Sequence, residues 1–153
     1  MDLVVLISGV GSGFGKAMAR QLLNDGHQVY GAGRTRPDFL PADNFLFMDV
    51  RDHDGVQAAV NDVIQKAGRI DVLVNNAGIG LAGPIEEFSD EDARLEWETN
   101  LLGVHRLCRA VLPHMRRNGR GKIINISSIA GIMGIPFQGF YSSSKFALQG
   151  YSE

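Results

Sequence analysis

Cysteine is nearly missing from this chain. A single Cys108 rules out a disulfide within it and fits a reducing compartment. Neither sign of charge is in excess: 15 basic and 17 acidic side chains leave a net charge of −2. A nucleic-acid partner is therefore not expected, because such proteins normally carry a strong basic excess. There is no long apolar run. The opening MDLVVLISGV has no basic n-region and no small-residue cleavage site, and glycine soon interrupts it. It is too short to cross a bilayer, so the expectation is a soluble, cytoplasmic protein with no integral membrane segment.

Glycine, in contrast, is abundant: 19 of 153 residues, about 12% against a usual value near 7%. No collagen period accompanies it, so these glycines should serve particular backbone positions. Charged residues make up 21% and hydrophobic ones 44%, which is globular rather than disordered composition. A chain of this length hides roughly two-thirds of its unfolded surface, enough for one core.

Short apolar runs alternate with longer amphipathic ones. Residues 3–7 are apolar, rich in β-branched side chains and followed by glycines, which reads as a buried strand. Residues 13–24 place Phe14, Met18 and Leu22 at helical spacing, and Asp25-Gly26 closes the helix. Strands are expected at 28–32, 45–48, 70–74 and 122–126, with a Pro-containing loop at 34–44. A helix is expected at 52–67, where Val56, Val60, Val63 and Ile64 share a face and Gly68 follows the end. Ser89 is a candidate N-cap, with acidic residues in the first turn where the helix dipole favours them. From there a long helical region runs to about residue 115, with a bend expected near Pro113. Residues 138–153 read as a last helix. Strands that are apolar on both faces, alternating with helices, predict an α/β fold with a parallel sheet covered on both sides.

Three motifs sit at strand ends. The first is Ser8-Gly9-Val10-Gly11-Ser12-Gly13-Phe14-Gly15, between the first strand and the first helix. Glycine lets a phosphate approach the backbone, and the amides and dipole at the helix start hold an anion. G-x-G-x-x-G fails because its last position, counted from Gly9, falls on Phe14. A phosphate loop of the Walker type fails at Val10 and Ala17. What fits is G-x-x-x-G-x-G on Gly9, Gly13 and Gly15. The second motif, Asn75-Asn76-Ala77-Gly78, follows the fourth strand, where ligands of parallel sheets sit. The third is Tyr141-Ser142-Ser143-Ser144-Lys145. Residues four apart on a helix share a face. A neighbouring ammonium favours the deprotonated form of a phenol and so makes it a better proton donor and acceptor. Ser128, at the end of the fifth strand, offers a hydroxyl to a substrate oxygen.

Taken together, these motifs resemble the short-chain dehydrogenase/reductase family across essentially the whole chain. The matching residues are Ser8-Gly9-x-x-x-Gly13-x-Gly15, Asp49-Val50, Asn75-Asn76-Ala77-Gly78, Asn100, Asn125-Ile126-Ser127-Ser128 and Tyr141-x-x-x-Lys145. Ser8 stands where the family usually has Thr, which keeps the hydroxyl. The resemblance implies a Rossmann-type, doubly wound parallel sheet in three α/β/α layers, with residues 1–153 forming an NAD(P)-binding domain that lacks the family's last strands. It implies hydride transfer between C4 of nicotinamide and a carbonyl or alcohol carbon. It casts Tyr141 as acid/base, Ser128 as the substrate-orienting hydroxyl, Lys145 as the ribose contact and Asn100 as holder of a water in a proton relay. Gly9, Ser12, Gly13, Phe14 and Gly15 would form the phosphate loop. Asp49 would bond the adenine edge with Val50 beside the ring, and Asn75, Ala77 and Gly78 would lie along the cofactor. A homodimer or homotetramer acting on a small-molecule carbonyl or alcohol is expected by the same likeness. The chain being shorter than family members, the alternative is a truncated, non-catalytic nucleotide-binding or interaction protein.

Charge decides the expected cofactor. An acidic residue ending the second strand would bind the ribose hydroxyls of NAD, but Gly33 stands there, followed by Arg34 and, close behind, Arg36. Arginine suits a 2′-phosphate, so NADP(H) is expected over NAD(H). Remaining features read as packing or solvated surface. His105 and Cys108, three apart, lack further metal ligands at suitable spacing. The acidic stretch 86–98 and the basic stretch that includes Arg106 and Arg116 follow the helix dipole and read as solvated faces. The apolar stretch 132–137 is either a pocket lining or a buried loop.

Overall fold

The computed structural model describes residues 2–153. Five strands form one sheet: β1 (Val4–Ser8), β2 (Gln28–Gly33), β3 (Phe45–Phe47), β4 (Val72–Asn75) and β5 (Lys122–Asn125). All are parallel, in the order β3-β2-β1-β4-β5. After β1 the chain moves outward to β2 and β3, then returns to β1's other side for β4. That reversal opens a crevice beyond the carboxyl ends of β1 and β4.

Alternation along β1 explains why the sheet needs cover on both faces. Val4 and Leu6 belong to one core cluster, with Val56, Val60 and Val63 of α2 (His53–Ala67), Leu107 and Val111 of α4 (Gly103–Arg117) and Leu148 of α5 (Gly139–Ser152). Val5 and Ile7 belong to the other, with Ala19 of α1 (Gly13–Asn24), Val10 and Leu40. The layers are therefore helix, sheet, helix, as the resemblance implies. No helix among the described residues is long and apolar enough to cross a membrane.

Helix ends follow local chemistry. Asp52 caps α2 by accepting the Asp54 N–H, and Gly68 closes it in the left-handed region. Ser89 and Asp92 form a reciprocal capping box at the start of α3 (Asp90–Trp97). The expected long helix is not continuous. A π-helical turn, Glu98–Leu102, joins α3 to α4, while Pro113 lies inside α4. The irregularity thus sits at Asn100 and not, as expected from sequence, at the proline. Such turns insert an extra residue and re-aim side chains.

The fourth strand starts later than its apolar run suggests, because Asp71 has a separate task at the opposite end of the sheet. Its carboxylate accepts the Val4 N–H at 2.9 Å and pairs with Arg69 at 2.8 Å and Arg120 at 3.2 Å. Burial pushes its pKa up, but those three partners outweigh it and the carboxyl titrates below its ordinary value.

Candidate active site

The crevice holds a cavity of about 570 Å³, within the range of small-molecule sites. One wall is the glycine loop. Gly9 (φ 75°) and Gly13 (φ 54°) occupy the left-handed region, which glycine enters without steric cost. A Cβ on Gly9 would lie 2.8 Å from the Ala77 Cα, and one on Gly15 would collide with the Gly9 carbonyl. The loop and the strand-end motif are stitched together. The Ser8 Oγ accepts the Asn76 and Ala77 N–H groups, both at 3.1 Å, and the Asn76 amide donates to the carbonyls of Ser8 (3.0 Å) and Gly9 (3.1 Å). Ser12, at the N-cap of α1, makes no side-chain cap bond. Its hydroxyl and the first amides of α1 could meet an anion.

Of the residues expected to hold a cofactor, Gly9, Ser12, Phe14, Arg34, Asp49, Val50, Ala77 and Gly78 line this cavity. Gly13 and Gly15 shape the loop without lining it. Asn75 is not among the lining residues. Its side chain is buried, donating to Asn125 Oδ1 at 2.8 Å and Cys108 Sγ at 3.5 Å. The next residue, Asn76, lines the cavity instead, because successive strand residues point to opposite faces. Thr35, Arg51, Ile79 and Thr99 also line it and were not anticipated. Arg51 had a readable signal, standing two residues after Asp49.

Asp49 does not present a free carboxylate. Arg51 grips it through Nε, at 3.0 and 3.1 Å, and through Nη2 at 2.6 Å, and adds its own backbone N–H at 2.9 Å. Those bonds lower the Asp49 pKa to about 2, so it is an anion throughout the neutral range. Arg34 has no ion-pair partner among the described residues, whereas Arg36 is tied to the Leu40 carbonyl at 3.1 Å.

Behind Gly78 lies a polar corner. A Cβ at Gly78 would sit 3.2 Å from Asn100 Oδ1 and 3.7 Å from Lys145 Nζ. Lys145 is 6% exposed and donates to the Ile126 carbonyl at 2.9 Å. Burial lowers its pKa from the ordinary value. Its Nζ lies 5.8 Å from the centre of the Tyr141 ring, so α5 does turn both side chains toward one place. Asn100, in the π-helical turn, accepts the Ile79 N–H at 2.9 Å and donates to the Ile79 carbonyl at 2.8 Å and Ser144 Oγ at 3.0 Å. Ser128 begins a 3-10 turn, Ile129–Gly131, with its Oγ accepting the Ala130 N–H at 3.2 Å. Gly131 of that turn packs against the Lys145 backbone, a contact that brings the turn up to α5.

Two stretches expected to be solvated are partly covered. The acidic stretch is not wholly solvated, since Glu96 is fully buried. Arg106 is not a free surface cation either: it bonds Glu98 at 2.6 Å and is largely covered. Cys108 is core, and burial pushes its thiol pKa up, the reverse of an activated nucleophile.

A parallel sheet whose strand order reverses beside a glycine-rich helix start defines a Rossmann-type fold. The short chain dehydrogenase family model matches residues 3–153, and the chain belongs to that family. A 3-ketodihydrosphingosine reductase of Bacteroides thetaiotaomicron is 50% identical over 150 residues, covering 98% of this chain and 56% of that protein. Human 17-beta-hydroxysteroid dehydrogenase type 1 is 37% identical, over 98% of this chain and 50% of the relative. Among solved structures, the NADP-bound form of ElxO superposes with a TM-score of 0.90 at 36% identity, over 99% of this chain and 65% of that one. The chain thus spans about half the length of the curated relatives it matches.

Proposed function

We propose that this chain is the cofactor-binding and proton-donating part of an NADP(H)-dependent carbonyl reductase. The observation that carries the reading is the corner of Lys145, Asn100 and Tyr141 behind Gly78, itself a wall of the cavity. It joins an acid/base pair to a nucleotide-sized crevice. The crevice suits the adenosine and phosphate end of a dinucleotide, while Asn100, Ser128, Tyr141 and Lys145 lie outside its lining. Its glycine wall leaves no room for a Cβ at Gly9, the start of α1 offers amides, and Arg34 offers an unpaired guanidinium.

When bound, the nicotinamide supplies the hydride to the carbonyl carbon. The chain's own residues do the rest. Tyr141 holds a proton at its phenol oxygen and gives it to the carbonyl oxygen, which Ser128 orients by its hydroxyl. Lys145 holds the ribose and sets a positive charge beside the ring. Asn100 fixes the loop that carries Ile79 and keeps one acceptor lone pair for a relay water. Asp49, held as an anion by Arg51, would bond the adenine edge when the cofactor is bound.

The substrate is an apolar ketone. The stretch 132–137 is not buried: Ile132 is 70% exposed and Phe137 68%. Ile129 and Met133 are exposed beside them. A hydrophobic surface next to the proton donor suits a long or bulky apolar chain. The printed activities of the relatives, a ketosphingoid reductase and a hydroxysteroid dehydrogenase, support the same class. The test is NADPH oxidation by the full-length protein with a graded series of ketones. The expected result is turnover that rises with apolar chain length; no turnover with any ketone overturns the proposal.

Cofactor choice has its own test. Arg34→Ala removes a charge-assisted bond to a 2′-phosphate, each worth roughly 1.5–3 kcal/mol, so the Kd for NADPH should rise about 10- to 100-fold. NADH has no such phosphate, and its Kd should stay put. Titration of both cofactors by calorimetry decides; equal losses for the two would remove Arg34 from the specificity argument.

A further inference from the structure

Glu96 is 0% exposed, more deeply buried than Asp71 (7%) or Lys145 (6%). It lies in the last turn of α3, one helical turn before Asn100. Burial raises its pKa, with the Leu81 contact pulling the other way and Asp92 adding to the rise. A buried carboxyl is costly, and an apolar side chain would sit there at lower cost. What the carboxyl has to offer is one bond: Oε1 accepts the Leu81 N–H at 2.6 Å, while Oε2 has no partner among the described residues.

That bond completes a clasp. Asn100 grips both backbone polar groups of Ile79, at 2.9 and 2.8 Å, and Glu96 grips the amide of Leu81. Gly80, between them, packs against Tyr141: a Cβ there would be 3.2 Å from ring Cδ2 and 3.3 Å from Cε2. Farther along the same loop, the Gly83 N–H donates to the Phe137 carbonyl at 2.8 Å. Phe137 has φ 62°, a conformation strained for a bulky residue. The loop is thus pinned at 79, 81 and 83, and Glu96 supplies the middle pin.

We propose that Glu96 is a positioning residue: by holding the Leu81 amide it keeps Gly80 against the Tyr141 ring and so fixes the aim of the phenol. The inference rests on the reading of Tyr141 as proton donor. It reaches a residue that touches neither the cavity nor the reacting atoms.

The test uses the full-length protein and two readouts, ketone reduction and hydrogen exchange at the Leu81 amide. Glu96→Gln keeps an acceptor oxygen of the same shape. Glu96→Leu removes it and fills the space with apolar volume. In Glu96→Leu, kcat should fall roughly 10- to 100-fold, the cost of a small misplacement of a reacting group. The Kd for NADPH should stay within about twofold, and the melting temperature should hold, because a buried carboxyl with one unpartnered oxygen has been replaced by apolar volume. The Leu81 amide should exchange fast in Glu96→Leu and slowly in wild type and Glu96→Gln, and Glu96→Gln should keep near-normal kcat. A merely structural glutamate would lower the melting temperature without this split. Equal kcat in Glu96→Leu and wild type overturns the proposal, as does an equal fall in both variants. Should Glu96→Leu not fold, Glu96→Met carries the same expectation, and a fast-exchanging Leu81 amide in wild type overturns the clasp without any variant. An inactive wild type sinks the oxidoreductase reading and this proposal with it. An active wild type indifferent to Glu96→Leu sinks this proposal alone.

Discussion

Replacing Tyr141 with Phe in the full-length protein should lower carbonyl reduction by roughly 10²- to 10⁴-fold, the usual contribution of a positioned proton donor. The substitution removes one oxygen and nothing else the fold uses. The ring that lies on Gly80 is retained, and its distance from a Cβ there, 3.2 Å at Cδ2, leaves Phe the same seat. Lys145 keeps its bond to the Ile126 carbonyl. The hydrogen bonds of Ser142, Ser143 and Ser144 do not involve the phenol oxygen. NADPH affinity and thermal stability should therefore be unchanged while kcat collapses. The initial rate of NADPH oxidation, with binding measured separately, checks this. A variant that reduces ketones as fast as wild type would mean that the proton comes from elsewhere.

Gly9→Ala should be the most damaging single methyl in the nucleotide site. An alanine at φ 75° is strained by roughly 1–3 kcal/mol before any contact is considered. Its Cβ would also sit 2.8 Å from the Ala77 Cα and 3.0 Å from the Ala77 nitrogen and the Asn76 amide. Two of those three are backbone atoms, so relief requires moving the loop. Moving it breaks the bonds from Asn76 and Ala77 to Ser8 and Gly9 that hold the cavity wall together. The Kd for NADPH should rise about 100-fold, which corresponds to roughly 2.7 kcal/mol. The melting temperature should drop by several degrees. Fluorescence titration and thermal unfolding measure the two effects. Unchanged affinity would show that the phosphates do not approach this loop.

The two substitutions differ in how they could be foreseen. The Tyr141–Lys145 pair was legible as a spacing, because four residues on a helix bring side chains to one face whatever surrounds them. The glycine loop was legible as a pattern. The reason for Gly9, a collision with Ala77 nearly seventy positions away in the chain, was not. The same gap separates Asn75 from Asn76. Both are asparagines at a strand end; alternation sends them to opposite faces, and the pairing of β4 with β5 sets Asn75 beside Asn125 while Asn76 lines the cavity.

Local sequence, then, determined the strands, the helix ends at Ser89 and Gly68, the parallel α/β architecture and the glycine loop between the first strand and the first helix. These follow from periodicity, propensity and turn chemistry, which act over a few residues. The tertiary structure decided what depends on neighbours distant in sequence. It seated Asn75 against Asn125, put the irregular turn at Asn100 where a proline had drawn attention, and buried Glu96 under the loop that backs Tyr141. A glutamate in an acidic helix reads as solvated by every local rule. Only packing against residues 79–81 removes it from water and leaves its carboxylate a single amide to hold.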